Sequence, residues 1–370
     1  MTSLEPASIA YFVSSHGFGH AARSAAVMEA LHQRRPSTRF TVFTGVPKWF
    51  FEDSMAAPFG YVRCQSDVGL VQTTPMDEDL AATIGELSRF LPLTSRAMEQ
   101  ALEAVSRMAC RLVVSDISPL GIAVASELGL PCVLIENFTW DWIYRDYLEV
   151  EPRFAPFVDE LQRLYASVEL RIQAEPFCNP VSGTAVVEPI ARSVQQSRPQ
   201  VRERLGLTEE TPCALVTMGG FRASYQFLNR LRDHSDITFV LPGTVDREER
   251  DHNLILLPHR TGFQHADLVS AADWVVGKLG YSTLAECFQA ATPYLFVQRG
   301  TFPESPPLAR FAKQRMVCEE VTEAELAAAD WPSRLSELRG IPEGAVRGSS
   351  GSRQAADLLL DLLESPLESC

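Results

Sequence analysis

The chain predicts an α/β protein built from two doubly wound, Rossmann-like domains, and three stretches carry that prediction. Residues 8–14, SIAYFVS, form a near-continuous apolar run that ends in SHGFGH and passes into AARSAAVMEALHQR, which has helical spacing. ALVTM at 214–218 runs into Gly219, Gly220 and Phe221, and WVV at 274–276 runs through Gly277 and Gly280 to Ser282 and Thr283. Each is a buried strand, a glycine turn and a helix start, the repeating unit of a parallel sheet with crossover helices. Because the unit opens both halves of a 370-residue chain, each half has the length and the pattern for its own core.

Taken in order, the first half predicts strands at 40–44, 61–65, 112–115, 132–135 and 169–173, with helices between most of them. The longest helical pattern covers 78–111, where apolar residues recur at three and four. A polar, proline-flanked stretch at 187–199 reads as the interdomain linker. The second half restarts with ALVTM, a helix over 223–233, ITFVLP, NLILLP, a helix through Asp267, and then the 274–286 stretch. YLFVQ, a proline-rich loop with Glu304 and a helix at 308–314 follow. The predicted domains are 1–190 and 191–350, with a closing helix in 351–370 that is apolar on one face and placed to cross back onto the first domain.

Composition narrows the function. A formal charge of −14 and no dense basic patch argue against a nucleic-acid partner, since a phosphate backbone would be repelled. The eight cysteines include no CxxC pair, and several sit in apolar runs, as Cys132 does in PCVLIEN, so they read as reduced core thiols. The apolar run at 9–13 is too short for a signal peptide, and no run approaches the ~18 residues that span a bilayer. These observations predict a cytoplasmic protein, with peripheral membrane contact left open.

The candidate chemistry lies at the strand ends. His20 follows the first strand and Asp116 follows LVVS, so parallel strands would bring both to one carboxyl edge. An imidazole oriented by a carboxylate can remove a proton from a hydroxyl, which makes His20 a candidate base, Asp116 its orienting group and His16 its rival. The turn at Gly219, Gly220 and Phe221 offers backbone N–H groups that suit a pyrophosphate. Gly280, with Ser282 or Thr283 as helix cap, is a second phosphate-type helix start, Lys278 adds a point charge, and Glu286 on the first helical turn is placed to accept bonds from ribose hydroxyls. Each turn alone is also what any β-α connection looks like.

Three adjacent rings, Trp49, Phe50 and Phe51, cannot all face inward from one helix, so at least one is expected at a surface, a domain cleft or an acceptor site while two pack in the core. Trp140 and Trp142 flank Asp141 and could stack on a sugar ring or pack in the core. The acidic run at 77–79 precedes a helix, where acidic residues stabilise the dipole, and implies no metal.

With these residues named, the chain resembles GT-B glycosyltransferases, and more narrowly the glycosyltransferase-like N-terminal domain of L-arabinokinases and its free-standing bacterial relatives. The resemblance rests on HGFGHAAR at 16–23, VVSDISP at 113–119, NFTWDWIY at 137–144, GKLGYST at 277–283 and FPESPPL at 302–308. It is similar, more distantly, to the N-acetylglucosaminyltransferase that makes lipid II. The resemblance implies two Rossmann-like domains facing a central cleft, with Gly17, Gly19, His20, Asn137, Trp140 and Asp141 on the acceptor side and Asp116 paired to His20. It implies that Gly219, Gly220, Phe221, Lys278, Gly280, Ser282, Thr283 and Glu286 meet a nucleotide-sugar, that Glu304 stands near its sugar, and that no metal or other cofactor is needed. The kinase half of L-arabinokinases has no counterpart, because GSSGS at 348–352 precedes the closing helix instead of following a strand.

The expected activity is therefore an inverting, metal-independent transfer of a sugar from a nucleotide-diphosphate sugar, most simply a UDP-sugar, to a hydroxyl acceptor that is a small molecule or lipid-linked. A nucleotide-sugar 2-epimerase of the same fold and a non-catalytic nucleotide-sugar sensor are the alternatives.

Overall fold

The computed structural model describes residues 7–72, 78–93, 96–218, 227–338 and 351–364. The chain forms two compact units, one ending at Ile190 and taking in the closing helix, the other beginning at Ala191. Both are parallel-dominated seven-stranded sheets with helices between the strands.

The first unit runs β1 (Ser8–Val13), α1 (Phe18–Arg34), β2 (Arg39–Thr44), α2 (Lys48–Ser54), β3 (Phe59–Arg63), α3 (Leu80–Phe90), α4 (Arg96–Arg107) and β4 (Leu112–Asp116). It continues with α5 (Pro119–Leu128), β5 (Cys132–Glu136), α6 (Trp140–Asp146), α7 (Ala155–Tyr165), β6 (Leu170–Ala174) and β7 (Ala185–Val187). The strand order is β3-β2-β1-β4-β5-β6-β7, all parallel. β1 and β4 are buried along almost their whole length, which is why their sequences are apolar without alternation. The sheet order reverses between these two strands, and Val13 pairs with Asp116 at their carboxyl ends.

The second unit runs α8 (Arg198–Arg204), β8 (Cys213–Thr217), α9 (Leu228–Leu231), β9 (Thr238–Val245), β10 (Glu249–Asp251), β11 (Leu254–Pro258), α10 (His265–Ala271) and β12 (Trp274–Lys278). Then come α11 (Tyr281–Ala290), β13 (Tyr294–Val297), α12 (Ser305–Arg315), β14 (Cys318–Glu320), α13 (Glu323–Ala328) and α14 (Pro332–Leu335). The order β10-β11-β9-β8-β12-β13-β14 is parallel except for β10, and it reverses between β8 and β12. The core on one face of this sheet gathers Phe239, Trp274, Leu295 and Trp331. The last helix, α15 (Gly351–Glu364), packs on α1, and Arg34 bonds Asp357 across that contact. A Cβ at Gly351 would lie 1.9 Å from the Glu188 carbonyl oxygen, so this helix start needs glycine to sit against β7's exit.

Three expectations are corrected. The helical pattern over 78–111 is two helices, because Pro92 lacks an N–H and pushes Leu91 into extended geometry. Gly277 is not a turn residue but lies inside β12, where an added Cβ would meet the Thr217 carbonyl oxygen at 1.7 Å; it lets β8 approach. Neither Ser282 nor Thr283 caps α11, since the N-cap is Gly280 and both lie within the first turn. The boundary between the units falls within the 187–199 stretch, where Ile190, Ala191 and Arg192 are buried and the amides of Gln195 and Gln196 donate to Asp267 Oδ1 at 2.7 and 3.2 Å. The three-residue strands β7, β10 and β14 escaped the sequence reading.

Candidate functional site

At the reversal point of the first sheet, β1 hands over to α1 through Gly17, whose φ of 79° is a geometry that glycine tolerates and other residues resist. That turn sets His20 on the first turn of α1, over the end of β4. His20 Nδ1 lies 3.0 Å from Asp116 Oδ1, and both residues are buried. Nδ1 also lies 3.1 Å from Arg23 Nη2, which can only donate, whereas the carboxylate can only accept; Arg23 Nη2 has Asp116 Oδ1 as its own acceptor at 2.8 Å, so we assign the proton to Nδ1, which leaves the Nε2 lone pair for a substrate.

Asp116 is held by more than the histidine. Arg23 donates from Nε to Oδ2 and from Nη2 to Oδ1, each at 2.8 Å, and Ser24 Oγ donates to Oδ2 at 3.1 Å. Burial pushes this carboxyl up, but Arg23 and His20 outweigh burial and hold it below its ordinary range. Asn137 Oδ1 takes Arg23 Nη1 at 2.5 Å, so Asn137 supports the arginine. Arg23 and Ser24 were missed in the sequence, although a charged residue one helical turn from His20 within AARSAAV was the available signal.

The remaining residues of this group divide. Trp140 is 1% exposed, and its Nε1 donates to Asp67 Oδ2 at 2.8 Å, so it is a core ring and not a stacking platform. Burial raises the Asp67 carboxyl above its usual range, and the amide of Ser15 donates to it at 3.2 Å. Asp141 and Trp142 are half-buried in α6. His16 stands edge-on to Trp140, its Nδ1 taking the Leu70 amide at 3.5 Å. Gly19 lies in the first turn of α1. Phe50 and Phe51 are buried, whereas Trp49 is half-buried and meets Phe18 edge-on at 5.8 Å between centroids.

In the second unit, Gly219, Gly220 and Phe221 lie outside the described residues. β12 ends at Lys278, Gly280 follows as N-cap, and α11 begins at Tyr281, so the first amides of that helix have no acceptor within it. Burial, then the charge of Arg299, lower the Lys278 ammonium to about 8, with Glu304 opposing. Arg299 is buried just past β13, 4.2 Å from the Phe302 ring centroid, and Glu304 is buried at the N-cap of α12. Arg299 was not singled out in the sequence. Among the described residues no group of three His, Cys, Asp or Glu side chains has metal-binding geometry, and Asp79 caps α3 by accepting from the Ala82 amide at 2.8 Å.

Glu286 departs from expectation. It sits beyond the first turn of α11 with its side chain 1% exposed, and both oxygens are engaged: Arg192 Nε lies 2.8 Å from Oε1 and His265 Nδ1 lies 2.5 Å from Oε2. Burial alone would raise this carboxyl, but Arg192 and His265 hold it at about 2. Nothing in the sequence pairs these three positions, because the contact joins the unit's first residues to two helices far along the chain.

In sequence, the chain is 25% identical over 355 residues to the L-arabinokinase of Arabidopsis thaliana, covering 95% of this chain and 34% of the plant protein. It thus spans about a third of that relative's length. It is 25% identical over 303 residues to an uncharacterised glycosyltransferase of Methanopyrus kandleri, covering 74% of this chain and 82% of that one. Two solved structures share the fold. The Arabidopsis thaliana protein UGT89C1, complexed with UDP, gives a TM-score of 0.59 at 13% identity over 96% of this chain and 99% of that chain. MurG of Acinetobacter baumannii gives 0.54 at 16% identity, with the same coverage of 96% and 99%. No described helix is long and apolar enough to cross a membrane. The model of glycosyl transferase family 1 matches residues 7–333, and the chain belongs to that family as a glycosyltransferase of GT-B fold.

Proposed function

We propose that this glycosyltransferase transfers a sugar with inversion from a UDP-sugar to an acceptor hydroxyl, without a bound metal ion. The observation that carries the reading is the buried His20–Asp116 pair at the reversal point of the first sheet, where open α/β sheets take their ligands. His20 Nε2 removes the acceptor proton while the acceptor oxygen attacks the anomeric carbon. The bond from that carbon to the diphosphate oxygen breaks on the opposite face, and UDP departs. Asp116, kept ionised by Arg23, stabilises the imidazolium that forms.

On the donor side, the amides at the start of α11 and the Lys278 ammonium supply positive charge for the departing diphosphate. Glu304 is assigned to the sugar hydroxyls, and Gly219, Gly220 and Phe221 to the phosphates. The fold relative complexed with UDP supports uridine as the nucleoside. The acceptor is a hydroxyl compound, small or lipid-linked.

The test is a thermal-shift panel of nucleotides and nucleotide-sugars, followed by transfer assays with the binding donor. His20→Ala is expected to abolish transfer while leaving donor binding by calorimetry nearly unchanged. Equal loss of both would make His20 a donor ligand or a structural residue. Full retained activity would remove it from the mechanism, and conversion of the UDP-sugar with no acceptor present would replace transfer by epimerisation.

A further inference from the structure

The amino edge of the first sheet, opposite the edge that carries His20 and Asp116, holds a cavity of about 770 Å³. Ser8, Arg39 and Phe59, which begin the adjacent strands β1, β2 and β3, line it. So do Ser37 and Thr38 from the turn between α1 and β2, and Arg107 and Met108 at the end of α4. Ser8 pairs with Arg39 and Val13 with Asp116, so the five steps of β1 put about 17 Å between the cavity and the His20–Asp116 pair.

Three observations give this cavity a chemistry. In a chain of formal charge −14, its charged lining residues are two arginines, Arg39 and Arg107, and no described acidic residue lines it. Arg39 makes no ion pair with any described residue, and Arg107 pairs with Glu103 in an exposed i,i+4 contact that an incoming anion can replace. Thr38 is 2% exposed, and its hydroxyl has no hydrogen-bond partner among the described residues, a deficit that a ligand oxygen would meet. Phe40, Phe59 and Met108 supply an apolar side.

The carbonyl ends of α1 and α4 reach the same edge and oppose an anion, but each amounts to about half a charge against the full charge of either guanidinium. Complementing those helix ends would account for the arginines alone. It would not account for a buried hydroxyl without a partner beside an apolar wall, in a cavity of small-ligand size.

We propose that this cavity binds a small anion with an apolar body, a phosphate monoester or a carboxylate on an aromatic or branched aliphatic group, at a site separate from the transferase centre. Arg39 meets the anion, Arg107 turns from Glu103 to share it, Thr38 bonds one of its oxygens, and the apolar body lies against Phe59 and Met108. The occupant touches the exit of α1, the helix whose first turn carries His20.

The test is titration calorimetry of the full chain with phenyl phosphate, inorganic phosphate and phenol. Wild type is expected to bind phenyl phosphate at least about tenfold tighter than either fragment, because the charged and apolar sides are then used together. Arg39→Gln should weaken phenyl phosphate by about tenfold, and Arg39→Gln with Arg107→Gln by more. Thr38→Val, which keeps the volume, should weaken it by about threefold. Ser37→Trp, which places a ring in the cavity, should abolish binding. Positions 37, 39 and 107 are exposed, so these variants should keep the wild-type melting temperature. Lys278→Met, which removes a cation from the second unit, should leave the affinity within about twofold.

Absence of phenyl phosphate binding by wild type would overturn the proposal, as would binding that Ser37→Trp and the double arginine variant leave unchanged. Equal affinity for phenyl phosphate and inorganic phosphate would reduce the site to an adventitious ion only. Binding kept in Arg39→Gln and lost in Lys278→Met would move the ligand to the second unit.

Discussion

Each unit holds an imidazole, a carboxylate and an arginine in one cluster, yet the two clusters are built differently. Asp116 ends a strand, is fully buried, and receives both arms of Arg23 together with Ser24 and His20. Glu286 rides on a helix and receives one bond from Arg192 and one from His265. The first imidazole is 7% exposed and the second 23%. A ring fixed by a strand end and sealed from water suits a proton transfer, which depends on one tautomer in one direction. A cluster that is more open and hung between helices suits ligand contact, where a displacement of a fraction of an ångström is tolerated.

If that division is right, the same conservative change in the two carboxylates should act on different kinetic parameters. Asp116→Asn keeps the shape but can donate to the ring, so the tautomer is no longer fixed, and kcat should fall by about 10²–10⁴ with donor KM within about threefold. Glu286→Gln should raise donor KM by about tenfold and leave kcat within about threefold. Steady-state kinetics on both variants decides this, and matching losses of kcat in the two would erase the distinction.

A smaller contrast is expected in stability. Removing Arg23 strands a fully buried carboxylate, which typically costs about 3–5 kcal/mol, whereas Glu286 loses a single bond in Arg192→Ala, for about 1–3 kcal/mol. Urea unfolding of Arg23→Ala and Arg192→Ala measures both, and equal losses would show that the bidentate contact adds nothing.

Acid separates the clusters further. The Glu286 carboxyl is depressed from 4.5 to about 2, so the unfolded chain takes up this proton first as pH falls. Its contribution is complete above about 4.5 and is lost as pH falls toward about 2, on the order of 3 kcal/mol in all. Chemical denaturation across that window should show a shallower pH dependence in Glu286→Gln than in wild type. An unchanged slope would mean that Arg192 and His265 do not stabilise the ionised form.

The two clusters were not equally legible in the sequence. His20 and Asp116 could be paired because each ends a strand-like run, and parallel neighbours align their carboxyl ends, as the Val13–Asp116 register confirms. The doubly wound units were readable for the same reason, since fully buried strands leave unbroken apolar runs. Arg23 was hidden because a buried arginine in a helix of small residues looks like a solvated one until its partner is placed. The His265–Glu286–Arg192 set was invisible, since the three residues lie on a connector and two helices whose meeting depends on packing, and residue spacing does not encode it. Gly277 misled for a related reason: a glycine that lets two strands approach has the same appearance in sequence as one that makes a turn.

The last and mildest effect belongs to the second unit alone and tests its proposed role in donor binding. Lys278 is lowered from 10.5 to about 8 by burial and by Arg299, so its charge is lost well below the range of an unperturbed lysine side chain. A diphosphate binds the ammonium better than the amine, and each anion bound favours uptake of a proton at this nitrogen. Affinity for UDP should therefore hold steady below about 8 and decline above it, by no more than about tenfold per pH unit. In Lys278→Met the affinity should be lower at pH 7 and flat to pH 9.5, with no proton uptake when calorimetry is repeated in buffers of different ionisation enthalpy. A wild-type affinity that does not bend near pH 8 would place the ammonium away from the phosphates and leave the start of α11 as their main contact among the described residues.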